Sequence, residues 1–596
     1  MKPLQAIHNW FSERLEATRL HLARPDALLQ LAVLGLLTGL LAGAIIVLFR
    51  FSVEHIQEWL LPGEGPDNFE GLSLGGRILF PLLGAVALAF MFRWFAKGLY
   101  VLGVARVLER MAYHQGRLTV RGFLLQFFGV AIALVSGHSV GREGAHIFLG
   151  ACTGSLLGQK LELPNNAIRT LVGCGTAAGI AASFNTPLAG VIFSLEVIMM
   201  DYQLASFIPV IIAAVSATVV SNAVLGDAAV FQVPPMHLGS LAEMPLVILL
   251  GLVSGGVAAA FIQMVQSIAS RTREWPIELQ MGVAGVGVAL LGAGLPEVMG
   301  IGYDTINATL LGGYAGGILL LMAVVKLAAT SICSALNVPG GMIGPAFFIG
   351  ATLGGGFGHL LDFWFPGLNI QPGVYAMLGM SALMAGSLQA PLAALTALLE
   401  LTDNPGIIMP GMLVVVIAGI TASELFRKES LFITMLKAKG LDYSQSPVMM
   451  ALRRVGVASI MDRDFVQAPR LVDRERAREL LADKPRWILV SDNKEPVAIL
   501  AAVDLMAWLE QQEQEAAEPG EAKEIDLLKI PGRRLQVAPA HLRETLQEAH
   551  ETLQKGEAEA LYVRRMTAPG IYRIYGILTR EQIESARTTS SNGVSY

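Results

Sequence analysis

Ionisable side chains are scarce in this chain, and scarcest in its middle. Asp, Glu, Lys and Arg make up only 15% of the 596 residues, and Thr170 to Ser423 carries few of them, which excludes an ordinary water-soluble fold for that stretch. Cysteine is almost missing. Cys152, Cys174 and Cys333 lie inside apolar segments without disulfide or metal-ligand spacing, so a disulfide scaffold and a thiolate metal centre are excluded and the three read as small core residues. There is no H-E-x-x-H, no P-loop and no G-x-G-x-x-G between a strand and a helix, which removes the signatures of zinc hydrolases, NTPases and dinucleotide enzymes. Gly137-His138-Ser139-Val140-Gly141 does spell the G-x-S-x-G elbow of serine hydrolases, but that elbow needs a strand before the serine, and an apolar helix precedes it here. No catalytic residue, metal site or nucleic-acid partner is expected, and the chain reads as a non-enzyme.

Apolar residues and glycine are abundant. Hydrophobic residues make up 53% of the chain and there are 63 glycines, the composition of a multi-pass membrane protein in contact with lipid. Leu28 to Phe49 is free of charge and long enough to span. The stretch from Glu54 to Glu70 is acidic, whereas Arg93 to Arg121 is basic; Asp227 and Glu243 mark a later acidic loop, and Arg271, Arg273, Arg427, Lys428, Lys437 and Lys439 mark basic ones. The positive-inside rule then puts both termini in the cytoplasm and the chain in the inner (plasma) membrane. Residues 1–25, with Lys2, Arg14, Arg19 and Arg24 beside Trp10, Phe11 and Leu15, read as a cytoplasmic interfacial helix. Residues 26–440 form the transmembrane domain and 441–454 a linker. From about Val455 short alternating strands and amphipathic helices replace the long apolar runs. They make two similar α/β units, 455–512 and 525–587, the second with a helix at Ala540 to Leu553, and 588–596 is a polar, disordered tail.

The focus of the membrane part is Gly141-Arg142-Glu143-Gly144-Ala145-His146, an ionisable group between two apolar segments and so a functional candidate. The glycines allow a sharp turn into a helix whose first N–H groups face whatever lies in front of them, an arrangement that attracts anions. The stretch is duplicated. Gly144, Phe148, Gly150, Ala151, Gly154 and Gly158 recur 200 positions later as Gly344, Phe348, Gly350, Ala351, Gly354 and Gly358, and Pro187-Leu188-Ala189 with Glu196 is matched by Pro391-Leu392-Ala393 with Glu400. Two broken, glycine-opened helices at matching places in two halves are the pattern of a transporter ion site near the bilayer midplane. His138 and His146 flank Glu143 as candidate pH modulators, with bonding to the backbone as the blander alternative. Arg142 is expected to attract anions. Glu196 and Glu400 close matching helices, which suggests packing of helix ends rather than ion transport.

These residues resemble the CLC family of chloride channels and proton-coupled chloride antiporters: Gly141-Arg142-Glu143-Gly144, Phe184-Asn185-Thr186-Pro187-Leu188-Ala189-Gly190, Pro339-Gly340-Gly341-Met342-Ile343-Gly344-Pro345 and Leu399-Glu400-Leu401-Thr402-Asp403-Asn404, together with the paired C-terminal units. The resemblance implies an inverted-repeat α-helical membrane fold of about eighteen tilted and broken helices followed by a cytoplasmic α/β pair of CBS domains, a homodimer with one pore per subunit, and chloride or another small anion as the transported partner. It implies Glu143 as the gate, its carboxylate occupying an anion site until displaced or protonated. Gly141, Arg142, Gly144, Leu102, Gly103, Met342, Ile343, Gly344 and Phe432 are the implied anion-binding positions.

Several positions depart from the family pattern. Leu102 stands where the family usually has serine, Ile343 where it has phenylalanine, and Phe432 where it has tyrosine. With both hydroxyl donors gone, the central site is expected to rely on backbone N–H groups alone. Val197 falls where exchangers carry an internal proton-transfer glutamate, so proton coupling is expected to be weak or absent. Bicarbonate or fluoride is the alternative cargo, and a non-conducting sensor signalling through the CBS pair the alternative function. CBS pairs usually hold adenine nucleotides with a hydroxyl residue and an aspartate three positions later; here Asp504 follows Ala501, and Thr579 precedes Gln582. Each half-motif is damaged, so the expected role is structural and dimer-supporting with no cofactor, and adenine nucleotide at the pair is the alternative.

Overall fold

The apolar runs become helices because lipid offers no partner for backbone N–H and C=O groups, and a helix satisfies them internally. The computed structural model describes residues 16, 18–24, 27–63, 65–99, 102–202, 204–227, 231, 233, 238–441, 447–515, 524–556 and 558–591. The chain forms two units, one of residues 31–161 and 168–443, the other of residues 1–30, 162–167 and 444–596.

The first unit carries α1 (Leu28–Leu60), α2 (Leu74–Met91), α3 (Gly103–Tyr113), α4 (Val120–Val135), α5 (Glu143–Lys160), α6 (Asn165–Phe184), α7 (Pro187–Phe193), α8 (Leu204–Leu225) and α9 (Met244–Arg271). It continues with α10 (Ile277–Gly294), α11 (Tyr303–Leu310), α12 (Gly316–Ala335), α13 (Ile343–Trp364), α14 (Pro372–Leu388), α15 (Pro391–Thr402), α16 (Ile408–Ile420) and α17 (Leu431–Ala438). Among the described residues that makes 17 α-helices, of which 8, with the short turns that extend some of them, are long and apolar enough to cross a membrane. Several others are short or broken, as the resemblance implies.

The duplication is visible as paired geometry. α4 and α12 both end in a left-handed residue, Gly137 (φ 76°) and Asn337 (φ 63°), and the matching N–H groups of His138 and Val338 donate to Ala133 and Cys333 at 2.9 and 3.0 Å. The repeated glycines let backbones touch. A Cβ on Gly150 would run into the Gly175 carbonyl of α6, and one on Gly350 into the Gly379 carbonyl of α14. Close approach of this kind is how helices associate where lipid removes the hydrophobic drive.

The second unit has a six-stranded sheet of order β1-β3-β4-β6-β7-β8, from β1 (Phe465–Pro469), β3 (Trp487–Asp492), β4 (Glu495–Ala501), β6 (Arg534–His541), β7 (Ala560–Ala568) and β8 (Ile571–Thr579), and a small sheet of β2 (Leu471–Val472) with β5 (Ile525–Asp526). β1 pairs parallel with β3 and β6 parallel with β7, each followed by an antiparallel partner. This repeated pattern is consistent with a CBS pair.

Four expectations need correction. The expected membrane domain 26–440 is interrupted, because residues 162–167 belong to the second unit: Glu162 accepts Arg543 at 2.6 Å and Asn165 donates to Glu548 at 3.0 Å. Much of the expected interfacial helix 1–25 lies outside the described residues; Leu22 and Ala23, fully buried, meet protein, with Gly456 N–H donating to the Ala23 carbonyl at 3.0 Å. The linker 441–454 includes a helix, Pro447–Arg453, and the expected tail 588–596 begins inside the helix Arg580–Ser591. Residues 592–596 lie outside the description.

Candidate functional site

Four helix N-termini meet around a cavity of about 40 Å³ in the first unit. It is lined by Leu102, Val104 and Ala105 at the start of α3, Gly144 at the start of α5, Gly340 to Met342 before α13, and Phe432 at the start of α17, with Ser334 and Asn337 at the end of α12. Leu102, Arg142 and Met342, the residues preceding α3, α5 and α13, give these helices no side-chain cap. Their ends therefore present partial positive charge to the space between them. No Lys, Arg or His is among the lining residues, so an anion meets dipoles rather than a fixed cation that would hold it too tightly to release.

The sequence-predicted residues gather here, with exceptions. Leu102, Gly144, Met342 and Phe432 line the cavity. Gly103 N–H is taken by Gln126 Oε1 at 3.1 Å, and Ile343 is buried in the core; neither lines the cavity. Gly141 forms a two-way bridge with Gly341, at 2.8 and 2.6 Å. That bridge ties the two repeats together at the site. Ser334 and Asn337 are the polar residues of the lining, and the Asn337 amide is already engaged, donating to Gln280 Oε1 at 2.6 Å.

Glu143 is fully buried as the first residue of α5. Its Oε2 accepts the N–H of Gly344 at 3.1 Å, so it caps the helix start of the other repeat. Its Oε1 accepts the hydroxyl of Tyr303. On the far side of Tyr303 lies an antechamber of about 150 Å³, lined by Phe49, Arg50, Glu54, Asp67, Arg142 and Asp304 among others. On the opposite side, Ser334, Asn337 and Met435 are shared between the central cavity and a vestibule of about 400 Å³ that also holds Arg106, Glu109, Arg273, Gln280 and Lys439. The central cavity and the vestibule therefore adjoin, and Glu143 stands between Gly144 of the central cavity and Arg142 of the antechamber.

Arg142 does not stand free for an anion. Its guanidinium reaches Glu54 Oε1 at 2.8 Å and covers the Tyr303 ring at 5.2 Å. His138 and His146 bond through Nδ1 to the hydroxyls of Ser136 (2.9 Å) and Ser183 (2.7 Å), and His138 also meets the Ala133 backbone. Ser139 of the hydrolase-like motif pairs with Thr330 at 3.0 Å. Val197 is in the apolar core. The neighbouring Glu196 turns away to accept the N–H groups of Leu392 (3.1 Å) and Ala393 (2.8 Å), while Glu400 accepts those of Leu188 (2.9 Å) and Ala189 (2.7 Å). In the second unit Asp504 accepts Arg533 N–H at 2.8 Å and Thr579 pairs with Gln582. Both residues are thus engaged within the protein, Asp504 with a segment 29 residues on and Thr579 with the Gln582 side chain. Sequence reasoning missed Tyr303, whose one local signal is an aromatic residue following Gly302 at a helix start.

The comparisons with known proteins decide the family. The family profile described as voltage gated chloride channel matches residues 83–423. The chain belongs to the CLC family. It is 30% identical over 416 residues to the H(+)/Cl(-) exchange transporter ClcA of Vibrio cholerae serotype O1 (strain M66-2), covering 68% of this chain and 88% of the relative. The crystal structure of a slow cyanobacterial Cl-/H+ antiporter matches with a TM-score of 0.62 at 21% identity, over 68% of this chain and 97% of that one. A eukaryotic CLC transporter matches with a TM-score of 0.58 at 21% identity, over 93% of this chain and 98% of that one. The chain is a multi-pass membrane protein of CLC fold, in a family of anion transporters and channels rather than enzymes.

Proposed function

We propose that the protein carries chloride across the inner membrane as a homodimer, each subunit gated by Glu143, with both termini cytoplasmic and the wide basic vestibule opening to the cytoplasm. One observation carries the reading: the buried Glu143 carboxylate, between Arg142 of the antechamber and Gly144 of the central cavity, takes the Gly344 N–H of a helix start. A carboxylate in that place is an anion mimic. Protonation or an arriving anion removes it, and the central cavity then joins the antechamber. The exchanger relative supports chloride as cargo. Proton coupling is weak, because Val197 has no titratable group and Glu196 is engaged at a helix end. Leu102 and Phe432, apolar where hydroxyls are usual, favour a second reading in which bicarbonate or fluoride is carried better than chloride. The CBS pair supports the dimer without holding nucleotide.

Purified protein in liposomes tests this. Glu143→Gln keeps the size of the side chain and removes its charge, so anion efflux should persist with its pH dependence flattened. A well-folded variant that keeps the wild-type pH profile would remove Glu143 as the gate, since loss of a mere helix cap costs only about 1 kcal/mol of stability. Efflux series of chloride, bicarbonate and fluoride in the same liposomes rank the cargo, and a pH dye reports accompanying protons.

A further inference from the structure

Tyr303 stands where the antechamber meets the gate, and its surroundings fix it there. Gly302 enters α11 in a left-handed conformation (φ 80°), which a side chain rarely adopts and which aims the next residue inward. Asp67 holds the N–H groups of Ile301 and Gly302 at 2.9 and 2.8 Å. The Tyr303 ring meets Phe231 edge-on at 5.4 Å, lies 6.2 Å from Phe184, and carries the Arg142 guanidinium on its face at 5.2 Å. Arg142 and Arg50 in turn share Glu54, at 2.8 and 3.2 Å. The hydroxyl that emerges from this clamp donates to Glu143 Oε1.

We propose that Tyr303 is the positioning residue of the gate: its phenolic O–H latches the Glu143 carboxylate in the passage and sets how readily an anion or a proton displaces it. This rests on Glu143 being the gate. The carboxylate has two donors, Tyr303 O–H and Gly344 N–H, and both hold it in its pore-filling position. The charged or titratable groups around it are Arg142 just before α5 and His146 on it, Arg50 and Glu54 on α1, Asp67 in the loop before α2, and Tyr303 and Asp304 on α11; the first turn of α13 contributes none. Of these, only Tyr303 is seen to bond to the carboxylate itself among the described residues.

Tyr303→Phe removes a single oxygen and leaves the ring packing, so the thermal midpoint should stay close to that of the wild type. Anion efflux from liposomes at neutral pH should rise about tenfold, and the acid activation of efflux should move up by about one pH unit, the range expected when a hydrogen bond to a charged group is lost. In the Glu143→Gln background the same substitution should have a much smaller effect and no pH dependence, because the amide keeps an acceptor for the hydroxyl but no charge to be held. A Tyr303→Phe profile that overlays the wild type, while Glu143→Gln alone flattens the profile, overturns the latch and leaves the gate standing. An equal effect of Tyr303→Phe with and without Glu143 overturns it too. If Glu143→Gln keeps the wild-type pH profile, the gate reading fails and the latch falls with it.

Discussion

Glu196 and Glu400 each cap a helix of the other repeat, and that exchange of caps separates structure from transport at the position beside Val197. Glu196 accepts two N–H groups at the start of α15, and Glu400 two at the start of α7. Loss of an N-terminal cap costs about 0.5–2 kcal/mol. Both carboxylates are half-buried, which puts each near the middle of that range. Glu196→Gln keeps one carbonyl acceptor and should cost about 0.5–1 kcal/mol, and Glu196→Ala about 1–2 kcal/mol. Because α7 and α15 pack on one another, the double variant Glu196→Ala/Glu400→Ala should depart from the sum of the singles by about 0.5 kcal/mol or more. The measurements are the thermal midpoint in a single detergent and the pH profile of efflux. If Glu196 is only a cap, Glu196→Gln lowers the midpoint by a few degrees or less and leaves the pH profile alone. An unchanged midpoint with a shifted profile or altered proton movement would refute this, and would make Glu196 a proton carrier in place of the acid missing at 197.

Two further predictions concern the vestibule and the helix crossings. Lys439, beyond the last span, bonds to Asn337, and burial pushes its ammonium pKa down to about 8; it is charged below that pH and neutral above. Apparent anion affinity from the vestibule side should fall about two- to fivefold as pH rises through 8, the scale of roughly 0.5–1 kcal/mol for one nearby charge in a wet site, and Lys439→Gln should have the lower affinity below pH 8 and match the wild type well above it. Gly150→Ala should cost about 3 kcal/mol or more, measured as midpoint and yield, because its Cβ meets the Gly175 backbone. Gly282→Ala, with open space at its Cβ, should be neutral or gain up to about 1 kcal/mol.

What was legible in the sequence is what repeats or is local. The spacing of Gly144, Gly150 and Gly154 with their copies located both broken helices, and the crossings they allow follow from having no side chain. The start of the helix at Ala540 was misread, because the apolar run there belongs to β6; the helix begins only at Leu546, where Thr545 and Glu548 form a reciprocal cap. The partners of Arg142 and Glu143 were not legible at all. Glu54, Tyr303 and Gly344 come from segments 88, 160 and 201 positions away, and no local period encodes such pairings.

The site itself lies where the two repeats stop matching. On the offset of 200 residues, Glu143 corresponds to Ile343 and Gly103 to Tyr303. Two identical acids would each plug the other's helix start, and the anion would have no dipole left to meet. With an acid on one side only, one carboxylate caps α13 and the N-terminus of α5 stays free of a side-chain cap. Likewise glycine at 103 adds no side chain beside the central cavity, where the start of α3 lines it, whereas tyrosine at 303 carries a hydroxyl to Glu143. Duplication supplies the paired dipoles that make a place for an anion. The two mismatches make that place asymmetric, with a carboxylate and a phenol on one side of it only.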